Sequence, residues 1–461
     1  MTALGPKIRI ARAVGRAVRA SGRGGGTSLP GKLLLRLEPD AIGELAARLP
    51  NGSAVISATN GKTTTATICA SILERAGRTL VHNRAGANMA GGIAATLLSA
   101  ARSHGRITGD AGLFEVDEFW LDTVTRQVKP QALLLSNLFR DQLDRYGELE
   151  TIAERWAQVV ATLPDATALV LNADDPLIAD LGRGRANVTY FGVDDDALAL
   201  PEMQHASDSK HCRRCGAPYR YDAIYLGHLG HYHCPNCGQE RPAPTVRAEQ
   251  ITLHGTSAAT FMLATPQGQR SVFLRLPGLY NVYNALGATA LCLALGVSLD
   301  VIVSGLQAAT AAFGRAETVT LADTTLQILL IKNPAGANEI LRTLTLESDQ
   351  LDLLAVLNDN IADGRDVSWV WDADFELLSP RVRSVVCSGS RAAELAVRLM
   401  YAGVPRSALS VVTDLPAALD QAIAQAQGGR VFVLPTYTAL LALRDELVSR
   451  GAVSPYWETA S

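Results

Sequence analysis

Short apolar runs alternate with helix-length segments through most of this chain. AVISA at 54–58, TLVHN at 79–83, AGLFEV at 111–116, ALLLSN at 132–137, TALVLNA at 167–173 and VTYFGV at 188–193 each end in polar or small residues. Runs of this length suit buried strands. Their alternation with helical segments predicts an α/β fold, a mostly parallel sheet with helices on both faces. The rhythm resumes after residue 318 with LQILLI, LDLLAVLN, VRSVVCS and RVFVLP, which predicts a second doubly wound α/β domain. We expect a lead-in over 1–48, a first domain over 49–314 and a second over 315–461. Ligands in such sheets sit beyond the carboxyl ends of strands, so the polar clusters there carry the search for chemistry.

Composition narrows the class. A chain of 461 residues has material for two or three cores. A net charge of −3 gives no whole-molecule case for binding nucleic acid. Nothing approaches the run of about 18 apolar residues that spans a membrane. Seven cysteines, four of them in CxxC pairs, argue for metal rather than disulfides and so for a reducing compartment. A soluble cytoplasmic protein is expected. The first 37 residues contain no acid, and Lys7, Arg9, Arg12, Arg16, Arg19 and Arg23 alternate with apolar residues at helical spacing. Three readings stand: a basic helix on the inner face of an anionic membrane, an organellar transit peptide, or a half-solvated helix packed on the first domain. SGRGGGTSLPG then reads as a joint.

The stretch SAVISATNGKTTT at 53–65 has the layout of a phosphate-binding loop. A buried strand breaks at Thr59-Asn60-Gly61 and resumes as a helix at Lys62-Thr63-Thr64. Backbone N–H groups at a helix start face phosphates, the Lys adds charge and a hydroxyl can reach Mg²⁺. The strict G-x-x-x-x-G-K-[ST] pattern fails, because Ile56 stands where its first Gly should be. A Lys exposed at an ordinary strand–helix turn is the other reading. Glu115-Val-Asp117-Glu118 follows a strand-like run, where a carboxylate can hold Mg²⁺ or open a helix.

Cys212-x-x-Cys215 and Cys234-x-x-Cys237 interrupt the rhythm within an insert at about 205–242. Two CxxC pairs at this spacing fit four thiolates closing on Zn²⁺, each pair followed by a Gly that permits the tight knuckle turn. A closed site of four cysteines leaves no position for substrate, which makes it structural. A ribbon that reads nucleic acid is the rival, with few basic residues in its favour.

ATNGKTTT resembles the GTNGKTTT loop of the Mur ligase superfamily, ATP-dependent amide-forming enzymes. Further resemblances follow along the chain. Asn137, Asp141, Leu143, Asp144, Arg145 and Gly147 are similar to the signature N-x-x-x-DHLDRHG, with Gln142 replacing a His associated with a second metal. PGLYNVYNALGATA resembles the segment whose two Asn residues frame the nucleotide base, here Asn281 and Asn284; N-capping by Asn281 is the alternative. Gly314-Arg315-Ala316-Glu317 resembles the GR-x-E that ends the central domain, and Lys332-Asn333-Pro334 falls where DYAHNP is usual. The resemblance implies ATP or phosphate binding by Thr59, Asn60, Gly61, Lys62, Thr63, Thr64, Asn281, Asn284 and Arg315. It implies Mg²⁺ on Thr63 and Glu115, and substrate contacts from Asn137, Asp141, Lys332 and Asn333.

The four-cysteine insert, RDQLDRYGE, KNPAG and NDNIADGRDVSWVWDADFE with TYTA together resemble the MurT family, synthetase subunits of lipid II isoglutaminyl synthase. No separate domain for a UDP-sugar precursor precedes the loop, as is usual in that family. The resemblance implies amidation of the D-glutamate α-carboxylate of the lipid II stem peptide through an acyl phosphate. Ammonia would come from a GatD-type glutaminase partner, since Cys69 sits inside the helix after the loop, Cys292 in an apolar helix, and Cys387 at a strand end with no His in the same domain. It further implies an Asp donated to the partner's Cys–His pair. Asp363 beside Gly364 is our first choice, for a turn that projects outward, with Asp359 and Asp366 as alternates. Trp369 and Trp371 alternate like strand residues. A single-chain Mur- or folate-type amino-acid ligase and a non-catalytic ATP-binding scaffold are the competing functions.

Overall fold

The structure, a computed structural model, describes residues 4–20, 28–83, 87–102, 106–141, 149–204, 207–310, 315–427 and 429–454. The first sheet is built from β1 (Ser53–Ser57), β2 (Leu80–His82), β3 (Ala111–Glu115), β4 (Ala132–Leu135), β5 (Ala168–Asn172) and β6 (Val188–Val193). After β7 (Arg220–Leu226) and β8 (Leu229–His233), which form their own hairpin, it is completed by β9 (Val246–His254), β10 (Ala258–Thr265) and β11 (Gly268–Leu274). Its order is β11-β10-β9-β6-β5-β4-β1-β3-β2. Pairing is parallel from β2 through β9. The last two strands pair antiparallel. The alternation of strands and helices does not announce that meander, although its turns carry Gly255 and Gly268 in the left-handed region.

Successive residues of a strand point to opposite faces, and the cores divide accordingly. Ile56, Leu113 and Leu134 pack on one face with the helices Lys62–Arg75 and Leu279–Ala294. Val55, Phe114 and Leu133 pack on the other with Trp156 and the N-terminal helices. The basic helix Leu4–Ala20 belongs to this second core, with Leu4, Ile8 and Ala11 fully buried. Lys7 meets Glu38 at 2.7 Å and the Arg12 guanidinium caps the carbonyl of Leu98 at 3.0 Å. Of the three readings of this segment, packing on the first domain is the one with contacts behind it. No helix among the described residues is long and apolar enough to cross a membrane.

The second sheet has β12 (Arg315–Leu321), β13 (Thr324–Leu329), β14 (Leu351–Val356), β15 (Val382–Ser388), β16 (Leu409–Val411) and β17 (Arg430–Pro435). The order β12-β13-β17-β14-β15-β16 is parallel except for the β12–β13 hairpin. Alternate residues again serve two cores, Leu353 and Phe432 on one face, Leu354 and Val433 on the other. Ser368–Trp371 is a single 3-10 turn, which overturns the strand-like reading of the two Trp residues. Trp371 stands 52% exposed beside Tyr401, while Trp369 packs against the core.

Candidate active site

The loop after β1 turns sharply into helix Lys62–Arg75 through Gly61, at φ +82. A Cβ there would lie 2.0 Å from Asn284 Oδ1, so only glycine fits. Asn284 in turn accepts from Thr65 Oγ1 at 3.2 Å and donates to Asn281 Oδ1 at 3.0 Å. Helix Leu279–Ala294 thus lies against the loop. Asn281 is inside that helix, whose N-cap is Gly278, and its amide reaches back to the Pro277 carbonyl at 2.7 Å. The capping alternative for Asn281 is therefore discarded. The end of β4 fastens the loop from the other side. Asn60 N donates to Asn137 Oδ1 at 2.9 Å, and Asn137 Nδ2 donates to Asn60 O at 3.0 Å. Thr59 Oγ1 accepts from Phe139 N at 3.1 Å.

Lys62 is not an exposed turn residue; it is 8% exposed and folded back into the protein. Its ammonium meets Glu118 Oε2 at 2.9 Å and donates to the carbonyls of Ala58 and Thr59. Burial alone would lower this ammonium, but Glu118, Asp117 and Glu115 outweigh it and hold the group above its ordinary 10.5. In the sequence Glu118 stands out only as one of an acidic cluster, and its spacing from Glu115 is the signal available there. Thr63 Oγ1 donates to Glu115 Oε1 at 3.1 Å. A hydroxyl and a carboxylate side by side at a helix start form a hard-oxygen pair that fits Mg²⁺.

The second domain closes on this loop. Asn333 Nδ2 donates to Asn60 Oδ1 at 3.0 Å while Asn333 Oδ1 caps its own helix, Pro334–Thr345, by accepting from Gly336 N at 2.8 Å. Lys332 pairs with Asp141 and its ammonium lies 3.4 Å from Thr59 O. Between the domains lies a pocket of about 850 Å³ including its open mouth; Asn60, Gly61, Thr64, Asn137, Asn284 and Lys332 line its polar part. Gln142, Leu143, Asp144, Arg145, Gly147 and Gly314 lie outside the described residues, as does the side chain of Arg315.

Four thiols gather at the root of the β7–β8 hairpin. The sulfurs of Cys212, Cys215, Cys234 and Cys237 all lie within 4.8 Å of one another. The knuckles match: Gly216 N donates to Cys212 O at 2.8 Å, Gly238 N to Cys234 O at 3.1 Å, and both glycines have positive φ. This donor set fits a tetrahedral Zn²⁺. The other thiols are buried, Cys69 pushed well above 9.0 by burial beside Cys292, and Cys387 pushed up to about 12.

The carboxylates after β14 are held in three ways. Asp363 does not project: it is 5% exposed, accepts from Thr438 N at 2.7 Å and bonds the Thr438 hydroxyl. Asn358 and Asn360 donate to that same hydroxyl at 3.0 and 2.9 Å, which fills its capacity of one donor and two acceptors. Asp359 accepts from Ser390 Oγ at 2.7 Å and Arg391 Nε at 2.8 Å. Asp366 is exposed and accepts from Ser368 N at 2.8 Å.

Family models match at two places, the Mur ligase middle domain over residues 56–292 and the MurT ligase C-terminal domain over 330–440. The lipid II isoglutaminyl synthase (glutamine-hydrolyzing) subunit MurT of Streptococcus pneumoniae is 33% identical over 432 residues, 93% of this chain and 94% of that protein. The chain belongs to the MurT family. The Staphylococcus aureus subunit of the same name is 31% identical over 95% of this chain and 97% of its own. Among solved structures, MurF from Acinetobacter baumannii is similar at a TM-score of 0.65 and 21% identity, covering 92% of this chain and 80% of that one. Folylpolyglutamate synthase from Mycobacterium tuberculosis is similar at 0.60 and 16%, covering 91% and 98%. This member of the MurT family is therefore a ligase with the Mur ligase fold, and a family of this kind uses ATP and Mg²⁺.

Proposed function

We propose that the chain is the synthetase subunit that amidates the D-glutamate α-carboxylate of the lipid II stem peptide in peptidoglycan biosynthesis, at the cytoplasmic face of the membrane. The observation that carries the reading is the junction of Asn60 with Asn333 and of Thr59 with Lys332, which sets the second domain's KNP segment on the phosphate loop. An enzyme that phosphorylates a carboxylate must bring γ-phosphate and acceptor together across such a junction.

A carboxylate oxygen of the substrate attacks the γ-phosphorus of ATP, the bond to the β-phosphate oxygen breaks and ADP leaves. Ammonia then attacks the acyl carbon, the C–O bond to phosphate breaks, phosphate departs and the nitrogen loses a proton to solvent. Phosphoryl transfer asks for positioning and charge neutralisation more than for covalent chemistry. Lys62 and the amides at 60–64 would meet the phosphates, with Lys62 leaving Glu118 to do so. Thr63 and Glu115 would hold Mg²⁺, which when bound neutralises phosphate oxygens. Lys332, oriented by Asp141, would align the acceptor carboxylate together with Asn333 and Asn137, and Asn281 and Asn284 the base end of ATP. Zn²⁺ on the four thiolates would staple the hairpin root. The name of the relatives supports a partner subunit; a GatD-type glutaminase would supply the ammonia, with Asp363, Asp359 or Asp366 completing its nucleophile's charge network.

The chain should convert lipid II to its amidated form with ATP and ammonium alone, and with glutamine only when the glutaminase subunit is added. ATP turnover with no amidated lipid II under either condition would refute the assignment.

A further inference from the structure

We infer that the tip of the hairpin in the four-cysteine insert, Leu226 to Leu229, forms one wall of the nucleotide-base pocket and so helps set which nucleoside triphosphate the enzyme accepts. The inference rests on the reading of residues 59–64 as the ATP site.

The four thiols lie at one end of this hairpin, and Cys234 follows directly on the last residue of β8. A structural metal site needs little beyond its knuckles. Here the opposite end is driven into the first domain. Leu226 and Leu229 are 5% and 2% exposed and belong to the same core as Phe139, Tyr283 and Ala335. Three separate elements fix the tip. Gly230 N donates to Asp174 O at 2.9 Å, Gly227 N to Gln204 Oε1 at 2.7 Å, and Arg342 of the second domain to Tyr225 O at 2.7 Å. Asp174 also accepts from the Tyr283 hydroxyl at 2.6 Å, which ties the hairpin's anchor to the helix that carries Asn284. Gly227 sits at φ +57 with room for no side chain, since a Cβ would lie 2.9 Å from the Phe139 ring. His228 is fully buried and packs on the same ring, centroids 4.7 Å apart.

Leu226, Leu229, Phe139, Tyr280 and Tyr283 line the pocket that Asn60, Gly61 and Thr64 line at its phosphate end. Apolar and aromatic walls beside the Asn284 amide suit a flat heteroaromatic base, its faces against the apolar groups and its polar edge toward that amide. A carboxylate acceptor would gain nothing from two leucines. The insert therefore does more than staple itself: it completes the site.

The test is titration calorimetry of the full-length chain, as wild type, Leu229→Ala and Lys62→Ala, with ATP, GTP and inorganic tripolyphosphate. Leu229→Ala should weaken ATP about tenfold, because trimming an isobutyl group to a methyl takes apolar surface away from the base, and it should narrow the preference for ATP over GTP. Tripolyphosphate binding should be unchanged. Unaltered ATP affinity, or equal loss for ATP and tripolyphosphate, overturns the inference. Lys62→Ala should weaken both ligands; full retention of ATP binding there overturns the ATP-site reading itself. Photolabelling of the wild type with an azido-adenosine triphosphate needs no variant. Label in residues 220–233 that excess ATP removes supports the wall, and ATP-sensitive label confined elsewhere refutes it.

Discussion

Lys62→Ala would ordinarily be expected to abolish phosphate binding and leave the fold alone. The structure predicts otherwise. The Lys62 ammonium and the Glu118 carboxylate are 2.9 Å apart with side chains 9% and 8% exposed. Asp117 and Glu115 are also buried. Removing the cation strands Glu118 among like charges with little water. Breaking a buried pair from one side costs about 3–5 kcal/mol. For a domain of this size that lowers Tm by roughly 6–20 °C. The double variant Lys62→Met with Glu118→Gln removes both charges at similar volume and should recover most of the loss, a coupling a double-mutant cycle measures directly. Neither variant should bind ATP normally. The assay is differential scanning fluorimetry beside ATP titration. A Lys62→Ala protein melting within about 2 °C of wild type would refute the buried-pair argument.

Cys212→Ser should lose bound metal and destabilise the hairpin, because structural zinc binding is folding free energy; zinc-free wild-type protein by elemental analysis would contradict it. Asp363→Asn puts an amide donor against a Thr438 hydroxyl already filled by Asn358 and Asn360, loosening the segment by about 1 kcal/mol. If Asp363 serves the glutaminase, glutamine-driven amidation falls while ammonia-driven amidation persists; equal loss of both would place it in the synthetase site. His231 is held above 6.5, chiefly by its hydrogen bond to Asp194, against burial. A raised cationic group adds stability that is fully present below 6.5 and lost as pH rises through the raised value. Wild type should therefore lose Tm above 6.5 more steeply than His231→Gln, and parallel melting curves would sink the argument.

Much of the site is legible because the chemistry is local in sequence. The loop at 59–64, the two CxxC pairs and the KNP segment each carry their geometry in a few adjacent residues. The sheet alternation survives because buried strands of both domains read as unbroken apolar runs. What stays hidden depends on where side chains point after folding. Nothing in GKT says that Lys62 turns to Glu118, because that contact joins residues 62 and 118 through the packing of β3 against β1. The outward projection expected from Asp363-Gly364 fails because Thr438, from the TYTA segment, draws the carboxylate in. Trp369 and Trp371 alternate as strand residues would, yet Asp366 holds Ser368 N and starts a 3-10 turn. From its cysteines alone the hairpin reads as a self-contained staple, since burial of Leu226 and Leu229 against Phe139 and Tyr283 is a tertiary fact.

The measurement that tests the central claim most directly follows oxygen. Lipid II carrying heavy oxygen in both positions of its D-glutamate α-carboxylate should be amidated with ATP and ammonium by the purified chain. An acyl-phosphate route sends one labelled oxygen into inorganic phosphate at each turnover and leaves the other in the amide. Phosphate free of label alongside amidated product would contradict the account.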